Sequence, residues 1–170
     1  MFEVNSCVMY GKIGVCQING IKDGSFIGKP ESKYYVLRPV YSRDLEIVSP
    51  VDAGKTHMRE LASEQRIFSL IESMSKQAPA WEDDSKLRNA NFMTALNSGL
   101  CEEWILVIKS LNIKSEEFKL DGKRLSNVDE TMLKDTTRLL HEEFSHALNL
   151  QPDEIATFIQ NRILHNKLAS

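Results

Sequence analysis

The sequence predicts an α+β protein of two parts, a small antiparallel sheet module followed by an all-α bundle of about five helices. Three observations predict it. Between Val8 and Asp52 the apolar and β-branched residues come in short runs, each closed by glycine, proline or Asp-Gly. Beyond that stretch they recur at helical spacing. With 170 residues the chain suits one domain or two small ones, and the change of period near Ala53 sets the expected division at 1–53 and 54–170.

The strand runs are Val8 to Tyr10, Ile13 to Ile21, Tyr34 to Leu37 and Leu45 to Val48. Gly11 and Gly14 flank the first bend, Asp23-Gly24 tolerates a tight turn, and Gly28-Lys29-Pro30 with Ser32 opens a second loop. Pro39 and Pro50 each remove a ladder donor and belong at strand ends or edges. About five short strands in so few residues make a bent sheet or half-open barrel, too small for a deep pocket. It reads as a docking module.

After the joint Asp52-Ala53-Gly54-Lys55, a helix is expected from about Met58 to Ser75, carrying Ile67, Leu70, Ile71 and Met74. Lys76 to Pro79 breaks it. Trp81 stands at the mouth of the next helix, whose acidic first turn suits the helix dipole. Phe92, Ala95, Leu96 and Leu100 form its buried stripe, and Asn97-Ser98-Gly99 ends it. A third helix runs from Cys101 to about Ile113, with Trp104, Ile108 and Leu111 on one face. Lys119 to Arg124 is a basic loop. Ser126-Asn127-Val128-Asp129 has the form of a capping box and starts the longest helix, to about Asn149, with Leu133, Leu140, Phe144 and Ala147 inward. Pro152 fits the first turn of a last helix carrying Ile155, Phe158, Ile159 and Ile163.

The formal net charge of -3 argues against a strong independent nucleic-acid binder. Charge is nevertheless segregated. Residues 86–124 hold Lys86, Arg88, Lys109, Lys114, Lys119, Lys123 and Arg124, whereas 129–154 hold mostly acids around Lys134 and Arg138. Such a distribution can make one basic and one acidic face, or ordinary solvated helix surfaces. Cys7, Cys16 and Cys101 follow no ligand spacing, so a reducing compartment is expected and a disulfide framework is not. Without an N-terminal signal or a long apolar run, the expectation is a cytoplasmic protein that meets no membrane.

His141 and His146 invite a zinc-protease reading, but that motif needs histidines four apart. Five apart, they diverge around a helix. The acid pairs Glu102-Glu103, Glu116-Glu117 and Asp153-Glu154 are sequence neighbours and point apart. No phosphate loop, nucleophile elbow or ligand cluster appears, so no catalytic residue, metal or cofactor is expected. Trp81 is the residue to single out. A tryptophan at a helix mouth is commonly a core anchor, yet an apolar wedge beside Lys86 and Arg88 also suits insertion at a base step.

Over nearly its whole length the chain resembles the CarD/CdnL family of bacterial transcription regulators. The likeness rests on MFEVNSCVMYGKIGVCQINGI, KYYVLRPV, the passage DLEIVSPVD, Trp81 ahead of a basic helix ending in ALNSG, and KRLSNVDETMLKDTTRLLHEEFSHAL. The resemblance implies that the N-terminal module is a Tudor-like barrel, similar to the polymerase-interacting domain of the transcription–repair coupling factor, and binds the RNA polymerase β subunit. It further implies that the helical part reaches promoter DNA near the upstream edge of the transcription bubble and stabilises the open complex with a tryptophan wedged in the minor groove. Trp81 matches that wedge, and Lys86, Arg88, Lys123 and Arg124 are the candidate phosphate contacts. Tyr35, Leu37, Arg38 and Ile47 are the candidate polymerase contacts, read from alternation on an exposed strand edge.

Two departures stand out. Glu82-Asp83-Asp84 follow Trp81 where many members are basic, and Leu45 to Ser49 lacks an arginine that some members place there. Two other classes stay open: a protein-interaction adaptor that never touches DNA, and a small enzyme, which would need a pocket with convergent titratable groups. The isolated chain is expected to be a monomer, with exchange of its edge-rich module as the route to a dimer.

Overall fold

The computed structural model describes residues 1–42, 45–52, 58–75 and 81–168. The chain divides into two compact units, Met1–Leu61 and Ala62–Ser170. The break expected at Lys76–Pro79 and the joint residues 53–57 lie outside the described residues.

In the first unit, β1 (Cys7–Tyr10), β2 (Gly14–Gly24), β3 (Lys29–Pro39), β4 (Ile47–Pro50) and β5 (Met58–Glu60) form one antiparallel sheet. Their order is β4-β3-β2-β1-β5. The sheet is open, with β4 and β5 at its two edges, so the expected barrel closure is not seen. The β1–β2 turn is tight, with Gly11 at φ 47° and Gly14 at φ 107° around the bond from Ile13 N–H to the Tyr10 carbonyl. These are conformations that glycine adopts at little cost. A register shift between Ile18 and Gly20 bends β2 against β3. Pro39 and Pro50 both close strands, as expected. Alternation places Val8, Cys16, Ile18, Tyr35 and Leu37 in one core, with Phe2, Tyr10, Ile47, Val51 and Met58 packed around it.

Met58–Glu60 corrects the expected helix from Met58. These residues pair with β1, Met9 opposite Arg59, and the helix begins only after the Ser63 hydroxyl accepts from Arg66 N–H. Helical spacing over so few residues could not register a strand whose partner lies some fifty positions earlier.

The second unit holds, among the described residues, α1 (Glu64–Met74), α2 (Ser85–Ser98), α3 (Cys101–Leu120), α4 (Asn127–Leu148) and α5 (Ile155–Leu168). Helix α4 packs against each of the others. Trp104, Leu111, Leu139, Phe144, Ile67, Ile71 and Ile155 are fully buried, and apolar burial of this kind stabilises by about 25 cal/mol per Å². Trp104 Nε1–H donates to the Leu96 carbonyl at 3.3 Å, joining α3 to α2. Gly99 ends α2 in the left-handed region, and Ser126 caps α4 through Asp129 N–H, both as expected.

Three boundaries differ. Helix α3 runs past Ile113 to Leu120, because Lys114 pairs with Glu117 and Lys119 with Glu116 one turn apart. Lys119 is therefore helical, and the loop narrows to Asp121–Ser126. Pro152 lies in a turn before α5 instead of inside it, and Leu100, expected in the buried stripe, is exposed as the residue that separates α2 from α3.

Candidate functional site

Trp81 is half-buried just ahead of α2. The acids that follow it are turned back on the helix start. Asp84 is the N-cap, its Oδ1 accepting from Lys86 N–H at 2.8 Å and Leu87 N–H at 3.0 Å, and these amides hold its carboxyl below the usual range. Glu82 Oε1 accepts from Asp84 N–H at 3.0 Å. Two of the three acidic groups are thus occupied by backbone amides, and Asp83 stays exposed.

Two cations lie over the indole. The Arg88 guanidinium carbon is 4.5 Å and Lys114 Nζ 5.4 Å from the ring centroid, within cation–π range. Phe92 meets the ring edge-on at 6.5 Å, and Lys114 also sits 5.2 Å from the Phe118 ring. In the sequence Lys114 stands out only as one member of the basic stretch 86–124. The signal was the Lys114–Phe118 pair one helical turn apart, and it needed α3 to run through that turn.

Arg88, expected at a phosphate, is buried instead. Its Nη2 contacts Asp129 Oδ2 at 3.1 Å and its Nε contacts Oδ1 at 3.4 Å, while Nη1 donates to the Glu82 carbonyl at 2.9 Å. Its charge is met inside the fold by α4, which a count of basic residues cannot reveal. Lys86, Lys123 and Arg124 are exposed, Lys123 with only a 3.9 Å approach to Asp121. The Arg88–Asp129 bond brings the starts of α2 and α4 together. Lys123 N–H donates to the Phe118 carbonyl at 2.7 Å, and Leu125 is buried, so the loop stays at the same end. Trp81, Lys86, Lys114, Lys123 and Arg124 therefore gather at one end of the helical unit.

In the sheet unit the four expected contacts divide. Strand β3 is interior, between β2 and β4, so Tyr35 and Leu37 are not on an edge. Both are buried, and Tyr35 Oη accepts from Phe2 N–H at 2.8 Å. They are core residues, which corrects the expectation from alternation: the pattern identifies a face but not which face meets solvent. Ile47 is half-buried against the same core. Arg38 is exposed, and it joins Lys22 at the Glu46 carboxylate, 3.9 and 3.3 Å away. Along the edge strand β4, Val48 shows its side chain to solvent, as does Leu45 just before it.

His141 is half-buried and lines an apolar cavity of about 320 Å³ with Ile105, Ile108, Leu140 and Ile159, whereas His146 is exposed. The two diverge, as their spacing requires. Among the described residues no group of histidine, cysteine and acid side chains is arranged to hold a metal, and no helix is long and apolar enough to cross a membrane.

Among curated proteins, none matches the chain closely enough to count as a relative. The family model of the CarD-like/TRCF RID domain matches residues 2–62, nearly the whole of the sheet unit. That family is one of protein-interaction modules, RNA polymerase-interacting and transcription-related, and not one of catalysts. Residues 2–62 thus match the CarD-like/TRCF RID domain, in the part of the chain whose N-terminal motifs carry the resemblance.

Proposed function

We propose that the protein is a cytoplasmic transcription regulator. Its sheet module docks on the RNA polymerase β subunit, and its helical part presents Trp81 with Lys86, Lys114, Lys123 and Arg124 to promoter DNA at the upstream edge of the bubble. The observation that carries this reading is the domain match over a sheet with an open edge, where β4 offers Val48, with Leu45 just before it and Arg38 on the neighbouring strand β3. An open edge accepts a partner strand through main-chain bonds, with side chains supplying specificity.

Docking raises the local concentration of the helical part near DNA, so modest DNA affinity suffices for a chain of net charge -3. The indole opposes bubble closure by the contact energy it loses when the duplex re-forms. Capping by Asp84 supports the reading, since it withdraws acidic oxygens from the approach to Trp81.

A second reading, an adaptor that binds polymerase without touching DNA, draws on one observation. Trp81 is packed by Phe92 and two cations, as an anchor would be. The deciding measurement is open-complex lifetime on a bacterial promoter with purified polymerase, comparing no protein, this protein and Trp81→Ala. Lengthening by the intact chain alone upholds the wedge. Equal effects of both proteins, with both bound to polymerase, leave the adaptor. Arg38→Glu with Val48→Glu is expected to weaken polymerase binding in either case.

A further inference from the structure

The surroundings of Arg88 are unusual for a residue in a basic stretch. Its side chain and that of Asp129 are 11% and 7% exposed. A buried ion pair is a poor source of stability, because desolvation offsets most of the attraction. Its geometry is nevertheless highly specified. The guanidinium meets both oxygens of Asp129, and Asp129 Oδ2 also accepts from the Ser126 hydroxyl at 2.8 Å. The remaining edge grips the chain directly after Trp81, at the Glu82 carbonyl (2.9 Å) and more distantly the Asp83 carbonyl (3.5 Å). The same planar group lies over the indole. One side chain thus fixes both the backbone that carries Trp81 and the place of its ring, and only a rigid planar fork can do both.

We propose that Arg88 is a positioning residue that holds Trp81 in its working place through Asp129, so that the ring is ordered before DNA arrives. The proposal rests on the DNA-contacting reading of Trp81 and adds the means of its preorganisation. A side chain ordered in advance spends no rotamer entropy at the moment of contact.

The test replaces both buried partners by apolar residues, R88M/D129L. Removing an ion pair together is far milder than stranding one charge, and the Ser126 hydroxyl keeps its bond to the residue 129 amide. Two readouts are taken. The first is acrylamide quenching of Trp81, isolated by difference from Trp81→Phe, which leaves only the fully buried Trp104. The second is open-complex lifetime. With helical content retained, quenching is expected to rise at least about twofold and lifetime to shorten about three- to tenfold, the scale of ordering one side chain.

A folded R88M/D129L protein whose Trp81 is quenched no faster than in the parent overturns the proposal. So does one whose ring is freed while its lifetime equals the parent's, provided Trp81→Ala shortens that lifetime. If Trp81→Ala itself has no effect, the DNA reading fails separately and quenching alone decides whether Arg88 positions the ring. Should R88M/D129L not fold, Arg88→Lys supplies the same comparison, since it keeps the charge but cannot span Asp129 and the Glu82 carbonyl together.

Discussion

Leu37→Ala separates a core role from an interface role in the sheet unit. Leu37 is fully buried among Val8, Cys16, Ile18 and Tyr35 in a unit of Met1–Leu61. Truncating a buried leucine costs about 3 kcal/mol, from lost transfer energy and the cavity left behind. A unit of this size has a total stability of about 3–9 kcal/mol, so the change removes a third or more of it. At about 1 kcal/mol per molar urea, the unfolding midpoint falls by about 3 M. The assay is hydrogen exchange of the β2 and β3 amides against urea, with tyrosine signals as a second probe. All four tyrosines lie in this unit and both tryptophans lie outside it, which makes the optical probes selective. Polymerase binding should fall in step with the unfolded fraction and recover at lower temperature. Loss of binding with exchange protection intact would refute the reasoning, because Leu37 would then be an interface residue after all.

Other outcomes follow from the same geometry. Gly24→Ala drives a Cβ into the Lys29 carbonyl oxygen and should destabilise the sheet unit by about 1–3 kcal/mol, whereas Gly20→Ala meets nothing within 4 Å; the two urea midpoints compare them. Ser126→Ala removes the cap on Asp129 N–H and should cost about 1 kcal/mol in the tryptophan-detected unfolding transition. Burial pushes the His141 imidazole below its ordinary value, with a backbone bond at Pro152 as a smaller opposing effect. The folded state therefore takes up the proton less readily than the unfolded chain. Stability should be full above about pH 6.5 and decline as pH falls through that value towards the folded one. The melting temperature of His141→Leu should lack this part of the pH slope.

The chain by itself determined what local physics controls. Breakers and short β-branched runs marked β1 to β4, the Ser126–Asp129 box began α4 within a residue, and Gly99 ended α2 where a left-handed residue was needed. The divergence of His141 and His146 also followed from helical geometry alone. Tertiary structure decided everything that depends on a partner distant in sequence. Strand β5 exists because β1 is there to pair with it, and Tyr35 and Leu37 are interior because β4 flanks them. Arg88 turned from a surface cation into a buried one because Asp129, forty-one residues on, meets it across the bundle. Spacing fixes which face a side chain shares with its neighbours, but only packing fixes what that face meets, and the meaning of a charge or an aromatic ring lies in that second step.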